Sequence, residues 1–191
     1  MNPLIQKLPT AVKVDGLRYE INSDFRNCLK IITAFEDSAL LPQEKQLIML
    51  KLLFGDNIPP DLEQACRVGV KFLNCGEEIE ESKESAAFGG RLYSFEKDAR
   101  FIFTAINQTH GIDLESIDYM HWWKFCWLFM DLKEDCFFSR MIYLRQQKKK
   151  GKLTPEEWRV WKAAENIFDL GKDDEDDETM KEFLKAWQGG G

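Results

Sequence analysis

The run Ile117-Asp118-Tyr119-Met120-His121-Trp122-Trp123-Lys124-Phe125-Cys126-Trp127-Leu128-Phe129-Met130-Asp131-Leu132 decides how the chain folds and holds three of its six tryptophans. At about 100° per residue, Tyr119, Trp122, Trp123, Cys126, Trp127 and Met130 share one face of a helix. Met120, Phe125, Phe129 and Leu132 widen that face, leaving His121, Lys124 and Asp131 as a narrow polar strip. A helix apolar around most of its circumference must be enclosed, because each large side chain left in water forgoes roughly 1.5–3 kcal/mol of burial. The spacing therefore predicts a central helix over 117–132, with Tyr119, Trp122, Trp123, Phe125 and Trp127 in a core that Phe137 joins. A bilayer span needs about 20 apolar residues in a row. The longest uninterrupted apolar run here is Phe125-Cys126-Trp127-Leu128-Phe129-Met130, so no membrane span is expected.

With 191 residues, 44% hydrophobic and 13% aromatic, the chain can bury one substantial core. The expected fold is mainly α: a compact helical bundle around the buried aromatic helix, with a small N-terminal β-hairpin. Its divisions are an N-terminal segment over 1–22 that carries the hairpin, a helical domain over 23–170, and a tail over 171–191. A net charge of −7 and a pI near 5.0 disfavour a general nucleic-acid binder, which concentrates Lys and Arg on one surface. The five cysteines, at 28, 66, 75, 126 and 136, form no Cys-x-x-Cys pair, and the N-terminus lacks a secretory pattern. Buried free thiols in a reducing cytosol are expected.

Residues 11–21 alternate apolar and polar on both sides of Asp15-Gly16, a dipeptide suited to the positive φ angles of a tight hairpin. Asn22-Ser23-Asp24 then offers caps for a helix bearing Phe25, Cys28, Leu29, Ile32 and Phe35. Pro42 opens a second helix that Gly55 stops, and Pro59-Pro60-Asp61 opens a third that Gly76 stops. The polar, glycine-containing stretch over 77–92 reads as a mobile linker or lid. Ser94 can cap a helix carrying Phe95, Ala99, Ile102, Phe103 and Ile106. Past the aromatic run, Lys133-Glu134-Asp135 starts a helix with Phe137, Phe138, Met141, Ile142 and Leu144 inward. It closes in a basic tract, Arg140, Arg145, Lys148, Lys149, Lys150 and Lys152, that reads as a solvated helix end favoured by the helix dipole. Thr154-Pro155-Glu156-Glu157 is a capping box launching a helix with Trp158, Trp161, Ala164, Ile167 and Phe168. The acidic run 173–178 is a tether, and Met180, Phe183, Leu184 and Trp187 line one side of a short terminal helix. Such a helix either folds back on its own body or docks into a partner's groove.

Chemistry is sparsely represented. His110 sits at a helix end and His121 on the polar strip. A zinc set could be gathered only from His121, Cys126 and Cys136, which lack the usual ligand spacing. Glu134 and Asp135 suit dipole compensation at a helix start better than acid–base work. No dinucleotide, Walker or nucleophile-elbow motif is present. A binding or assembly protein is expected, with no catalytic residue, cofactor or metal.

Ile117-Asp118-Tyr119, His121-Trp122-Trp123-Lys124-Phe125, Leu132-Lys133-Glu134-Asp135 and Tyr143-Leu144-Arg145 together form a distinctive pattern. With Asp24-Phe25-Arg26, Phe95-Glu96-Lys97-Asp98-Ala99 and Gly111-Ile112-Asp113-Leu114, it resembles the "gene product fifteen" family of tailed phages and prophages of Gram-positive bacteria. The likeness spans most of 20–146, and Cys136 stands where that pattern has a small hydroxyl residue. The resemblance implies a tail assembly chaperone: a protein that binds the tape measure protein in the host bacterial cytoplasm, keeps it soluble, and is absent from the finished virion. Partners implied are the tape measure protein and a second tail assembly chaperone or another copy of the chain, with no membrane. Trp158, Trp161, Phe183, Leu184 and Trp187 are the expected partner contacts. The competing readings are a structural tail or connector component of the virion and a regulator touching nucleic acid through Arg140 to Lys152.

Overall fold

A computed structural model describes residues 2–77 and 92–171. The body of the linker expected over 77–92, the acidic tether and the terminal helix with Phe183, Leu184 and Trp187 lie outside the described residues. The chain is mainly helical with one N-terminal two-stranded hairpin, as its periodicity indicates. Where composition suggests one helical domain over 23–170, the described residues divide into two compact units. One holds residues 2–77 with Ile117–Trp127, the other 92–116 with 128–171. Among the described residues, no helix is long and apolar enough to cross a membrane.

The first unit opens with strands β1 (Ala11–Val14) and β2 (Leu17–Glu20), paired antiparallel with Val12 opposite Tyr19 and Val14 opposite Leu17. Asp15 at φ 50° and Gly16 at φ 77° make the turn, using the left-handed backbone that Asp and Gly tolerate. Helices α1 (Phe25–Glu36), α2 (Pro42–Phe54) and α3 (Leu62–Leu73) follow. A hairpin alone is marginal in water. This one lies with β1 against α3, with Tyr19 edge-on to Phe54, and with the Asp15 amide donating to the Gln64 side chain. Gly69, inside α3, faces Leu53 and Met49 of α2. A Cβ there would lie 3.2 Å from Leu53, so the glycine lets the two helices approach closely.

The central helix is shorter than its periodicity predicts. Helix α5 covers Trp122–Met130, whereas 117–121 is not helical. The cause is long-range: the Trp122 amide donates to the Ser23 carbonyl at 2.8 Å, and the Phe25 amide to the Met120 carbonyl at 2.9 Å. An isolated antiparallel bridge joins Asp24 to His121. Asp24 also accepts from the Met120 amide at 3.2 Å while capping α1 through the Arg26 amide at 2.9 Å. Backbone groups engaged with another segment cannot also close a helical turn. Tyr119, expected in the core, is consequently 52% exposed, its hydroxyl tied to Ser23 at 2.8 Å. Trp122, Trp123 and Phe125 are buried, and Trp127 is half-buried beside Trp123.

The second unit contains α4 (Ala99–His110), α6 (Phe137–Lys149), α7 (Pro155–Ala163) and α8 (Glu165–Phe168). Helix α6 starts at Phe137 rather than at Lys133, because Cys136 is its N-cap: the Cys136 sulfur accepts from the Ser139 amide at 3.4 Å. The thiol thus takes the capping role of a hydroxyl. That start turns Phe138 and Met141 inward and leaves Phe137, also expected in the core, 49% exposed at the rim against Phe101 and Phe168. The capping box at Thr154 and Glu157 forms, with Glu157 accepting the Thr154 amide at 2.8 Å. The single helix expected from Trp158 to Phe168 breaks at Ala164, at φ −136° and ψ 34°, into α7 and α8.

Candidate functional site

In the first unit the aromatic run acts as a clamp on the end of α3. Trp122 Nε1 donates to the Leu73 carbonyl at 2.8 Å and Trp123 Nε1 to the Phe72 carbonyl at 2.7 Å. Consecutive indoles on α5 thereby satisfy two of the carbonyls that a helix C-terminus leaves without intrahelical partners. Gly76 follows at φ 86°, and a Cβ there would sit 2.9 Å from the Trp123 ring. His121, expected on a polar strip, is instead buried at the start of α5. Its Nδ1 accepts the Trp123 amide at 3.0 Å, which leaves Nε2 to carry the proton and donate to the Pro9 carbonyl at 3.0 Å. Burial lowers its pKa, opposed by the bond to Pro9. The histidine is a helix cap and a tether for the N-terminal segment.

In the second unit the basic tract is not uniformly solvated. Arg145 is 3% exposed and makes a bidentate pair with Asp98 at 2.6 and 2.9 Å. Its remaining donors reach the carbonyls of Phe168 at 2.7 Å, Leu92 at 3.1 Å and Ile167 at 3.1 Å. A buried guanidinium is tolerable because every N–H is engaged. Lys148 lies 4.1 Å from the centre of the Trp161 ring and 3.9 Å from Asp169. Arg145 and Lys148 are therefore engaged within the protein, which weakens the reading of Arg140 to Lys152 as a stripe for phosphate.

The expected partner contacts separate sharply. Trp161 is 2% exposed, packed at a tilt against Phe168 with its Nε1 lacking a hydrogen-bond partner, so it belongs to the core and not to a partner surface. Trp158, one turn earlier on α7, is 42% exposed. Phe183, Leu184 and Trp187 lie outside the described residues. Exposed apolar side chains that the periodicity did not mark as surface accompany Trp158 in this unit: Val160 on α7, Phe137 and Tyr143 on α6, and Met130 at the end of α5. Tyr143 hydrogen-bonds to Glu157, the residue before Trp158, and this bond raises the Tyr143 pKa. Glu157 is held below the usual carboxylate range, chiefly by the Thr154 amide. The exposed side of α6 and the first turn of α7 thus meet, with Tyr143 and Trp158 on either side of Glu157.

The residues weighed for zinc are each committed elsewhere: His121 and Cys136 cap helices, and Cys126 bonds to Cys75. Among the described residues, no group of three or more His, Cys, Asp or Glu side chains could hold a metal ion. His110 bonds to the Leu128 carbonyl at 2.8 Å. What this geometry offers is exposed aromatic, thioether and aliphatic groups beside a few fixed hydrogen bonds.

The fold and these two units define a mainly helical protein with an aromatic clamp on the end of α3 and exposed apolar side chains on α6 and α7. The family described as Bacteriophage Gp15 protein matches residues 4–170, and the chain belongs to that family. Membership makes it a bacteriophage protein and points to a structural, tail-region type. No curated protein and no solved structure matches the chain.

Proposed function

We propose that the protein is a tail assembly chaperone that binds the tape measure protein during tail morphogenesis, without catalysis, in the host cytoplasm. The observation that carries this reading is the exposed apolar set around α6 and α7, namely Phe137, Tyr143, Trp158 and Val160, in a chain of the Gp15 family. Aromatic and aliphatic side chains accept amphipathic helices in several registers, because they repack and demand few fixed hydrogen bonds. A long helical client suits such a face better than a small polar substrate does. The net charge of −7 favours solubility of a crowded complex.

Co-expression with the tape measure protein of the same phage tests it. The expected result is a higher soluble yield of the tape measure protein and a complex that co-purifies; no association across a range of salt concentrations overturns it. Quantitative mass spectrometry of purified virions separates this function from that of a structural connector. A chaperone is depleted from the particle, whereas a connector is present in fixed stoichiometry.

A further inference from the structure

We propose that Cys75 and Cys126 form an oxidant-reactive dithiol that closes to an intramolecular disulfide, a modification site joining the end of α3 to α5. The argument begins with the turn that ends α3. The Gly76 amide donates to the Lys71 carbonyl at 2.8 Å and the Cys75 amide to the Phe72 carbonyl at 3.1 Å, the paired bonds of a Schellman motif. Cys75 occupies the left-handed position of that motif at φ 55°, where glycine is the default residue. A side chain held there against backbone preference needs something that its sulfur engages. Its sulfur meets that of Cys126: the Trp122 and Trp123 indoles, one turn earlier on the same helix, seat α5 on the end of α3 and bring the two thiols into contact.

The remaining cysteines are disposed differently. Cys28, Cys66 and Cys136 are buried, while Cys75 and Cys126 are each partly exposed, so an oxidant from solvent can reach the pair. The contact is also asymmetric. Donation from Cys126 holds the Cys75 thiol below its ordinary pKa, and the same bond together with burial holds Cys126 well above. Sharing a proton between the two sulfurs eases the loss of one proton from the pair and keeps the other in place.

With hydrogen peroxide the steps balance. The Cys75 thiolate attacks one peroxide oxygen, the O–O bond breaks, and the departing hydroxide leaves as water after taking a proton from solvent. Cys75 is now a sulfenic acid. The Cys126 sulfur attacks the Cys75 sulfur, the S–O bond breaks, and hydroxide leaves as water with the Cys126 proton. Two thiols are oxidised by two electrons while peroxide is reduced to two waters. The new bond fastens α5 to the turn that Trp122 and Trp123 already cap.

The full-length reduced protein treated with about one equivalent of hydrogen peroxide should lose about 2 Da, the two hydrogens of a dithiol. A digest should then yield a linked Cys75–Cys126 peptide that dithiothreitol separates, and the oxidised form should melt at a higher temperature. In Cys126→Ser, oxidation should stop at a Cys75 sulfenic acid that dimedone captures. Cys75→Gly, which suits the turn and so retains the fold, should show no mass loss. In the reduced protein, alkylation of Cys75 by iodoacetamide at neutral pH should outpace that of Cys66 by about tenfold or more. Recovery of Cys75 and Cys126 as separate peptides, each bearing added oxygen or none, overturns the proposal. So does an unchanged mass loss in Cys75→Gly.

Discussion

Arg145 makes five hydrogen bonds, to both oxygens of Asp98 and to the carbonyls of Leu92, Ile167 and Phe168, and it is buried with them. Removing one partner of such a pair strands the other charge without water, which costs about 3–5 kcal/mol. Arg145→Met should therefore lower stability to chemical denaturation by about that amount, measured by circular dichroism, and Arg145→Lys should not restore it, because an ammonium cannot reproduce the fork. His121 makes a second prediction at this scale. Its pKa in the folded protein lies below its unfolded value near 6.5, so folding favours the neutral ring, and its contribution is complete above about pH 6.5. As pH falls below that value towards the depressed folded pKa, protonation of Nδ1 competes with the Trp123 amide and the contribution is lost. The thermal midpoint should fall on acidification from pH 7.5 to 5.5, and His121→Gln should flatten that dependence. Neither role was legible in sequence. Arg145 sits in a run of cations that reads as a solvated helix end, and its partner Asp98 is 47 positions away.

The element that sets the first unit is α5 acting on the end of α3. Trp123→Phe trims the indole and deletes its donor to the Phe72 carbonyl, which then keeps the Cys75 amide, so the lost hydrogen bond alone costs about 0.5–1.5 kcal/mol. Amide exchange in the last turn of α3 should accelerate in that variant, with little change in α4 or α7. Protection equal to wild type at Asn74 to Gly76 would show that the indole is mere filler. Most helices were readable because capping residues and period agree locally: Asp24, Pro42, Asp61 and the Thr154–Glu157 box all mark true starts. The start of α5 was not readable. Residues 117–121 carry a helical pattern, yet the pairing of Met120 and Trp122 with Ser23 to Phe25 claims their backbone. A local period cannot report a bond to a segment almost a hundred residues earlier.

For the whole molecule, charge, aromatic content and the absence of motifs in the sequence directed attention to binding rather than catalysis, and the family match over 4–170 shows a bacteriophage protein. The candidate surface was half legible. Trp158 was expected to face a partner and is exposed, while Trp161 shares its helical stripe but turns into the core against Phe168 and Lys148. Three residues along a helix turn a side chain by about 300°, so period alone leaves two such tryptophans on neighbouring faces, and only packing decides which one is covered. Phe137 and Tyr143 were missed as surface because the start of α6 depends on the unusual Cys136 cap. If these exposed residues bind a partner, Trp158, the largest of them, should carry a disproportionate share of affinity.

The most direct measurement compares the affinity of the tape measure protein for the wild-type chain and for Trp158→Ala/Val160→Ser, two changes confined to exposed positions of α7. The account predicts a complex with the wild type, and binding weakened by about tenfold or more in the variant while its circular dichroism and thermal midpoint stay unchanged. Equal binding by a folded variant, or no binding by the wild type, would contradict it.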